Sequence, residues 1–110
     1  MAKKVLTSTT FTIEGYRVVE HMGLVRGIIV RSPTIMQGFL GNLKQIIGGQ
    51  IEAFTEMCEQ ARRQAFEDMV DHALDLDANA IVGVRYDASN LARGATEVLC
   101  YGTAVRVEPA

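Results

Sequence analysis

Two thiols, two imidazoles and a scatter of carboxylates are the groups in this chain that could bind a metal or carry a reaction. Cys58 and Cys100 lack the close Cys or Cys/His spacing of thiolate zinc sites. Cys58 falls on the apolar stripe of a helical pattern and Cys100 on a strand face. Both therefore read first as small core residues, the usual position of a reduced thiol. Asp68, His72 and Asp75 recur at helical spacing and share a face. Two carboxylates and an imidazole there would suit a hard or borderline divalent ion. The simpler reading is a solvated polar face, which neighbouring copies of the chain would have to complete before it closed around a metal.

His21 sits between Glu20 and Met22 in a strand pattern, and no Ser, Thr or Cys nucleophile can be paired with it from sequence. Gly15, Glu20 and Asp87 show no catalytic spacing, so no catalytic residue and no cofactor is expected. Gly48-Gly49-Gln50 precedes a helix, where unpaired N–H groups and the helix dipole favour an anion. The segment contains neither GxxxxGK(S/T) nor GxGxxG, and glycine is the usual helix C-cap, so a helix–helix turn is the simpler reading. By elimination these three residues are the small-ligand candidate.

The elements that must position these groups follow from periodicity. Val5 to Ile13 is rich in Thr and β-branched residues and reads as a strand, ended by Glu14-Gly15. Tyr16 to Arg31 reads as a long strand with apolar residues on both parities, which predicts cover on both faces. Gly23 and Gly27 inside it predict a bulge, a bend or a close backbone contact. Ser32-Pro33 is an N-cap followed by proline at the first helical position. Ile35, Met36, Phe39, Leu40, Leu43, Ile46 and Ile47 then predict a short helix that Gly48-Gly49 stops.

A second helix is predicted from Gln50 to Asp77, with the stripe Phe54, Cys58, Ala61, Ala65, Met69, Ala73 and Leu76, widened by Met57, Phe66, Val70 and Leu74. Ala80, Val82, Val84, Tyr86 and Ala88 alternate with Ile81, Gly83, Arg85 and Asp87. After a polar loop at Ser89 to Gly94, Leu99, Tyr101, Val105 and Val107 share one strand face, and Cys100 and Ala104 the other. Two strands joined by a short Gly-containing loop predict a hairpin. The order β-β-α-α-β-β gives an α+β class, with a mostly antiparallel sheet packed by a short and a long helix.

Length and composition limit the function. The chain has 110 residues, enough for one domain spanning 1–110. Apolar residues are 48% and charged residues 22%, which excludes disordered and low-complexity classes. A net charge of −2 argues against nucleic acid as the main partner. No apolar run approaches the ~18–20 residues of a membrane span, and Met-Ala-Lys-Lys is followed by Thr-rich sequence rather than a signal core. A soluble, cytoplasmic protein is expected. A helix this long is oversized for four strands, and the second strand needs cover on both faces. Other copies of the same chain are the expected cover, giving a homo-oligomer.

Several segments carry a family resemblance: Thr9-Thr10, Ile13-Glu14-Gly15, Gly23-Leu24-Val25-Arg26-Gly27, Ile46-Ile47-Gly48-Gly49 and Ala53-Phe54. Ala78 to Val84 and Gly102-Thr103-Ala104-Val105 complete the set. In this order they resemble the YbjQ family, uncharacterised bacterial proteins sometimes labelled heavy-metal-binding. The resemblance implies a dodecin-like subunit and a pentameric ring, and supplies no mechanism. This chain has Gln50-Ile51 where the family typically has Arg-Ser, which removes a positive charge and an N-cap hydroxyl. Phe54 stands where Tyr is common. The leading expectation is a non-catalytic binding or structural module with a small-ligand site at subunit boundaries. Metal binding or sequestration is the alternative, and an enzyme whose site forms between subunits the third.

Overall fold

The computed structural model describes residues 4–31, 50–91 and 95–110, with side chains from residue 55 onward in the helix. The expected short helix from Ser32-Pro33 to Ile47, the Gly48-Gly49 turn and the end of the loop at 92–94 lie outside the described residues, as does the side chain of Phe54. The described elements are β1 (Leu6–Thr7), β2 (Tyr16–Arg31), α1 (Gln50–Asp75), β3 (Ala80–Asn90) and β4 (Thr96–Pro109). The long strand has the bounds predicted from its valines and isoleucines. The first strand is much shorter than predicted, because its hydroxyls bond locally. The Thr10 N–H donates to Ser8 Oγ at 3.1 Å and the Thr10 hydroxyl to the Thr12 carbonyl at 2.6 Å. Such bonds compete with a strand ladder.

The sheet order is β1-β3-β4-β2. The predicted β3–β4 hairpin forms, and β2 pairs antiparallel with β4 along its length. Here the arrangement departs from a sequential reading. β1 and β2 are consecutive in sequence but lie on opposite edges, and β1 runs parallel to β3. Backbone bonds from Leu6 N–H to the Asn79 carbonyl and from Ser8 N–H to the Ile81 carbonyl hold that edge. The sheet is thus mixed and open.

One sheet face packs on α1. Val25, Ile81, Val84, Cys100 and Ala104 meet Ala65, Met69 and Ala73 there. The opposite face holds a smaller cluster of Ala80, Val82, Val105 and Val107, with Leu6, Ile13 and Val18 against it. The division of β4 into a Cys100/Ala104 face and a Val105/Val107 face is the predicted one. That of β3 is not, because its register shifts between Val82 and Arg85, where Gly83 has φ +64°. This bulge moves Val84 to the helix side while Ala80 and Val82 stay on the other.

Both glycines of β2 do what such residues do inside strands. Gly23, at φ +115°, sits at a register shift. Gly27 admits the helix backbone: a Cβ there would lie 2.8 Å from Met69 N and nearer still to the Ala65 carbonyl oxygen. The helix ends two residues earlier than predicted. Ala78 N–H bonds the Ala73 carbonyl and Asp77 N–H the Leu74 carbonyl, with Asp77 at φ +61°. That is a Schellman cap with Asp in the left-handed position usually held by glycine.

Candidate functional site

Where α1 crosses β3 and β4, the structure gathers the densest chemistry among the described residues. Cys100 and Met69 are both fully buried, and the Cys100 thiol donates to Met69 Sδ at 3.7 Å. Tyr86, the register partner of Cys100 on β3, is about half exposed, and the Arg62 guanidinium lies 5.9 Å from its ring centroid. Glu59, Arg62, Arg63, Phe66 and Tyr86 line an open depression of about 390 Å³ above it. A smaller, mainly apolar groove of about 150 Å³ lies between Arg31, Met57, Cys58, Ala61, Arg62 and Val98.

Burial pushes the Cys100 thiol up, and a hydrogen-bonding interaction from the Tyr86 phenol opposes part of that shift. Tyr86 is raised as well, first by burial, then by Cys100 and finally by Glu59, against the lowering influence of Arg62. Both groups are therefore held protonated. The corner sets an aromatic face and two cations, Arg62 and Arg63, at the surface above two fully buried sulfurs.

The structure separates the residues expected to bind metal. Cys100 is in the core, as expected, but Cys58 is exposed and its neighbour Met57 is buried. The contact with the sheet follows the i+4 row Met57, Ala61, Ala65, Met69 and Ala73, which leaves Cys58 one position outside it. Asp68 accepts from Gln64 Nε2 at 2.9 Å. His72 is half-buried, and its Nδ1 accepts the Arg26 backbone N–H of β2 at 3.3 Å. Among the described residues no group of three or more His, Cys, Asp or Glu is placed to hold a metal ion, so Asp68, His72 and Asp75 do not form a site within one chain. The ligand candidates Gly48 and Gly49, and the Gln50 side chain, lie outside the described residues.

His21 is exposed on β2, and neighbouring Glu20 lies 3.6 Å from Arg106. Asp87 accepts the Ala88 N–H. Sequence reasoning missed the Met69–Cys100 pair, although it placed Met69 on the helix stripe and Cys100 on a strand face. Their meeting depends on the long-range crossing of α1 over β4, which no local spacing encodes. No described helix is long and apolar enough to cross a membrane.

A family model described as "Putative heavy-metal-binding" matches residues 5–108. A UPF0145 protein of Legionella pneumophila strain Philadelphia 1 is 51% identical over 105 residues, covering 96% of this chain and 98% of its own. A UPF0145 protein of Chromobacterium violaceum is 47% identical, covering 94% and 89%. A solved structure of a protein with unknown function, of the DUF74 family from Pediococcus pentosaceus, covers 94% of this chain and 98% of its own. Its TM-score is 0.64 at 15% identity, a likeness of fold. The chain belongs to the YbjQ family.

Proposed function

We propose that this YbjQ-family chain is a non-catalytic subunit that works as a closed homo-oligomer and binds a small ligand where subunits meet. One observation carries the reading. Among the described residues nothing covers the face of β2 turned away from α1: Leu24 is 61% exposed, Ile28 44% and Val30 49%. Their register partners Thr103, Leu99 and Glu97 extend the same surface across β4. Covering a Leu, Ile or Val side chain is worth about 1.5–3 kcal/mol, so this strip is a strong driving force for association.

A second copy of the chain is the occupant that fits. The strip is flanked by charges of both signs, Arg26 beside it on β2 and Arg85 and Asp87 on β3, so a neighbouring copy can set opposite charges against it. A net charge of −2 sets little repulsion between copies. The described residues also form an elongated body, 54 × 27 × 27 Å with a radius of gyration of 17.1 Å, against about 13 Å for a compact domain of ~100 residues. Such a shape leaves much of the sheet for neighbours. A ring of five is the number that the family resemblance implies.

The test is sedimentation of the wild type beside a Leu24→Glu/Ile28→Glu variant. The wild type is expected as one discrete oligomer and the variant as a folded monomer with unchanged far-UV circular dichroism. A variant that sediments like the wild type would place the interface elsewhere.

A further inference from the structure

We infer that Phe11 is the anchor by which one copy of this chain holds the next, its ring seated on the neighbour's apolar strip of Leu24, Ile28 and Val30. The inference rests on the oligomer reading above and says which part of the second copy covers β2. Phe11 is 75% exposed, the most exposed large apolar side chain among the described residues. A lone exposed apolar residue is ordinary surface. Phe11 differs because its backbone is held on both sides. The Gly83 N–H donates to the Thr10 carbonyl at 2.8 Å, and the Val84 N–H to the Ser8 carbonyl at 3.0 Å. The Arg85 guanidinium donates to the Thr9 carbonyl at 2.8 Å, and the Thr10 hydroxyl spans Phe11 to reach the Thr12 carbonyl. Gly83 completes the seat, since a Cβ at its position would lie 2.9 Å from Phe11 Cε1. The fold thus fixes an aromatic ring in place while most of its surface stays in water. An aromatic ordered in advance loses little freedom on binding, the property of an interface anchor.

The surface that fits it lies at the opposite edge of the same sheet. Phe11 stands against Gly83 of β3, on the side where β1 forms the edge, and the strip is on β2. Two strand spacings, about 10 Å, separate β3 from β2. Both surfaces are exposed, so the chain does not cover one with the other. Unlike surfaces at opposite edges make a heterologous contact, the kind that closes into a ring of more than two copies. Charge agrees. Arg26 alternates with Leu24 and Ile28 on the exposed side of β2 and offers a guanidinium to a ring seated there. Glu97, the register partner of Val30, borders the strip, and Arg85 borders the Phe11 loop, an opposite pair across the contact.

The test places the photo-cross-linker p-benzoylphenylalanine at position 11 of the full chain. Irradiation of the assembled protein is expected to join it to β2 of another copy, between Leu24 and Val30. Phe11→Ala should weaken assembly by about thirtyfold or more in dissociation constant, the loss of an aromatic anchor, and Phe11→Leu by less. In the Leu24→Glu/Ile28→Glu background, Phe11→Ala should leave the urea midpoint unchanged, because the ring is mostly exposed in the single chain. Mixing reads the kind of contact. Phe11→Ala keeps the strip and Leu24→Glu/Ile28→Glu keeps the anchor, so together they should form a 1:1 pair that neither forms alone. A wild-type protein that is monomeric would overturn the oligomer reading and this inference together. A wild-type oligomer whose cross-links fall outside β2, a Phe11→Ala dissociation constant within twofold of wild type, or a mixture that stays monomeric would overturn this inference alone.

Discussion

Gly27 of β2 lies directly under the α1 backbone at Ala65, with no room between them for a methyl group. The contact sets how closely the helix approaches the sheet, and hence whether Met69 reaches Cys100. Gly27→Ala should therefore destabilise the fold by about 3 kcal/mol or more, as overpacking against immovable backbone does. Gly23→Ala makes the comparison sharp. Gly23 has open space around its Cβ position but φ +115°, so its cost is conformational and should be nearer about 1–2 kcal/mol. Urea midpoints of the two variants give the order. An equal or reversed order would show that the helix can move away from β2.

Stability should fall in alkali, and Cys100 should be one reason. Burial raises the thiol in the folded state, while in the unfolded chain it titrates near about 8.5. Above that pH the native state binds more protons than the unfolded one, so stability declines as pH rises through the folded value. Tyr86, also raised, adds a further decline above about 10. Cys100→Ser should flatten the first part of the decline in unfolding measurements between about pH 8 and 10. A slope equal to that of the wild type would assign the loss to other groups.

Asn79 takes the place of a strand residue. Its Nδ2 donates to the Val107 carbonyl at 3.0 Å, and its Oδ1 accepts the Val107 N–H at 2.8 Å. The side chain thus continues β4 pairing just before β3 begins. Asn79→Ala removes two bonds and should cost about 1–3 kcal/mol. Asn79→Asp keeps the acceptor but loses the donor, and should fall between wild type and Ala. Chemical denaturation of the three proteins checks the series. An Ala variant as stable as the wild type would mean that water replaces both bonds.

Much of this architecture was legible because it is local. Val and Ile density marked β2 to the residue, and alternation on β4 separated Cys100 and Ala104 from Val105 and Val107. What escaped depends on distant backbone. A lone Gly83 in a strand does not announce that it will bulge and reverse the facing of Val84. The parallel pairing of β1 with β3 rests on bonds such as Leu6 N–H to the Asn79 carbonyl, which no periodicity encodes. Cys58, placed at the centre of the helix stripe, is exposed, because the sheet contact runs along an i+4 row from Met57, a residue expected only on the stripe's edge. His72 looked like part of a polar face with Asp68 and Asp75, yet its ring caps a backbone N–H on β2. The Gly48-Gly49-Gln50 candidate lies outside the described side chains, and the soft pair of Cys100 and Met69 needed the fold to bring it together.

The central claim is that the open face of β2 is covered by other copies of this chain. Native mass spectrometry of the wild-type protein at about micromolar concentration tests it most directly. The account predicts a single closed oligomer, a fixed small multiple of the 12.0 kDa chain that persists on dilution. A spectrum containing only monomer, with Leu24, Ile28 and Val30 left in water, would contradict it.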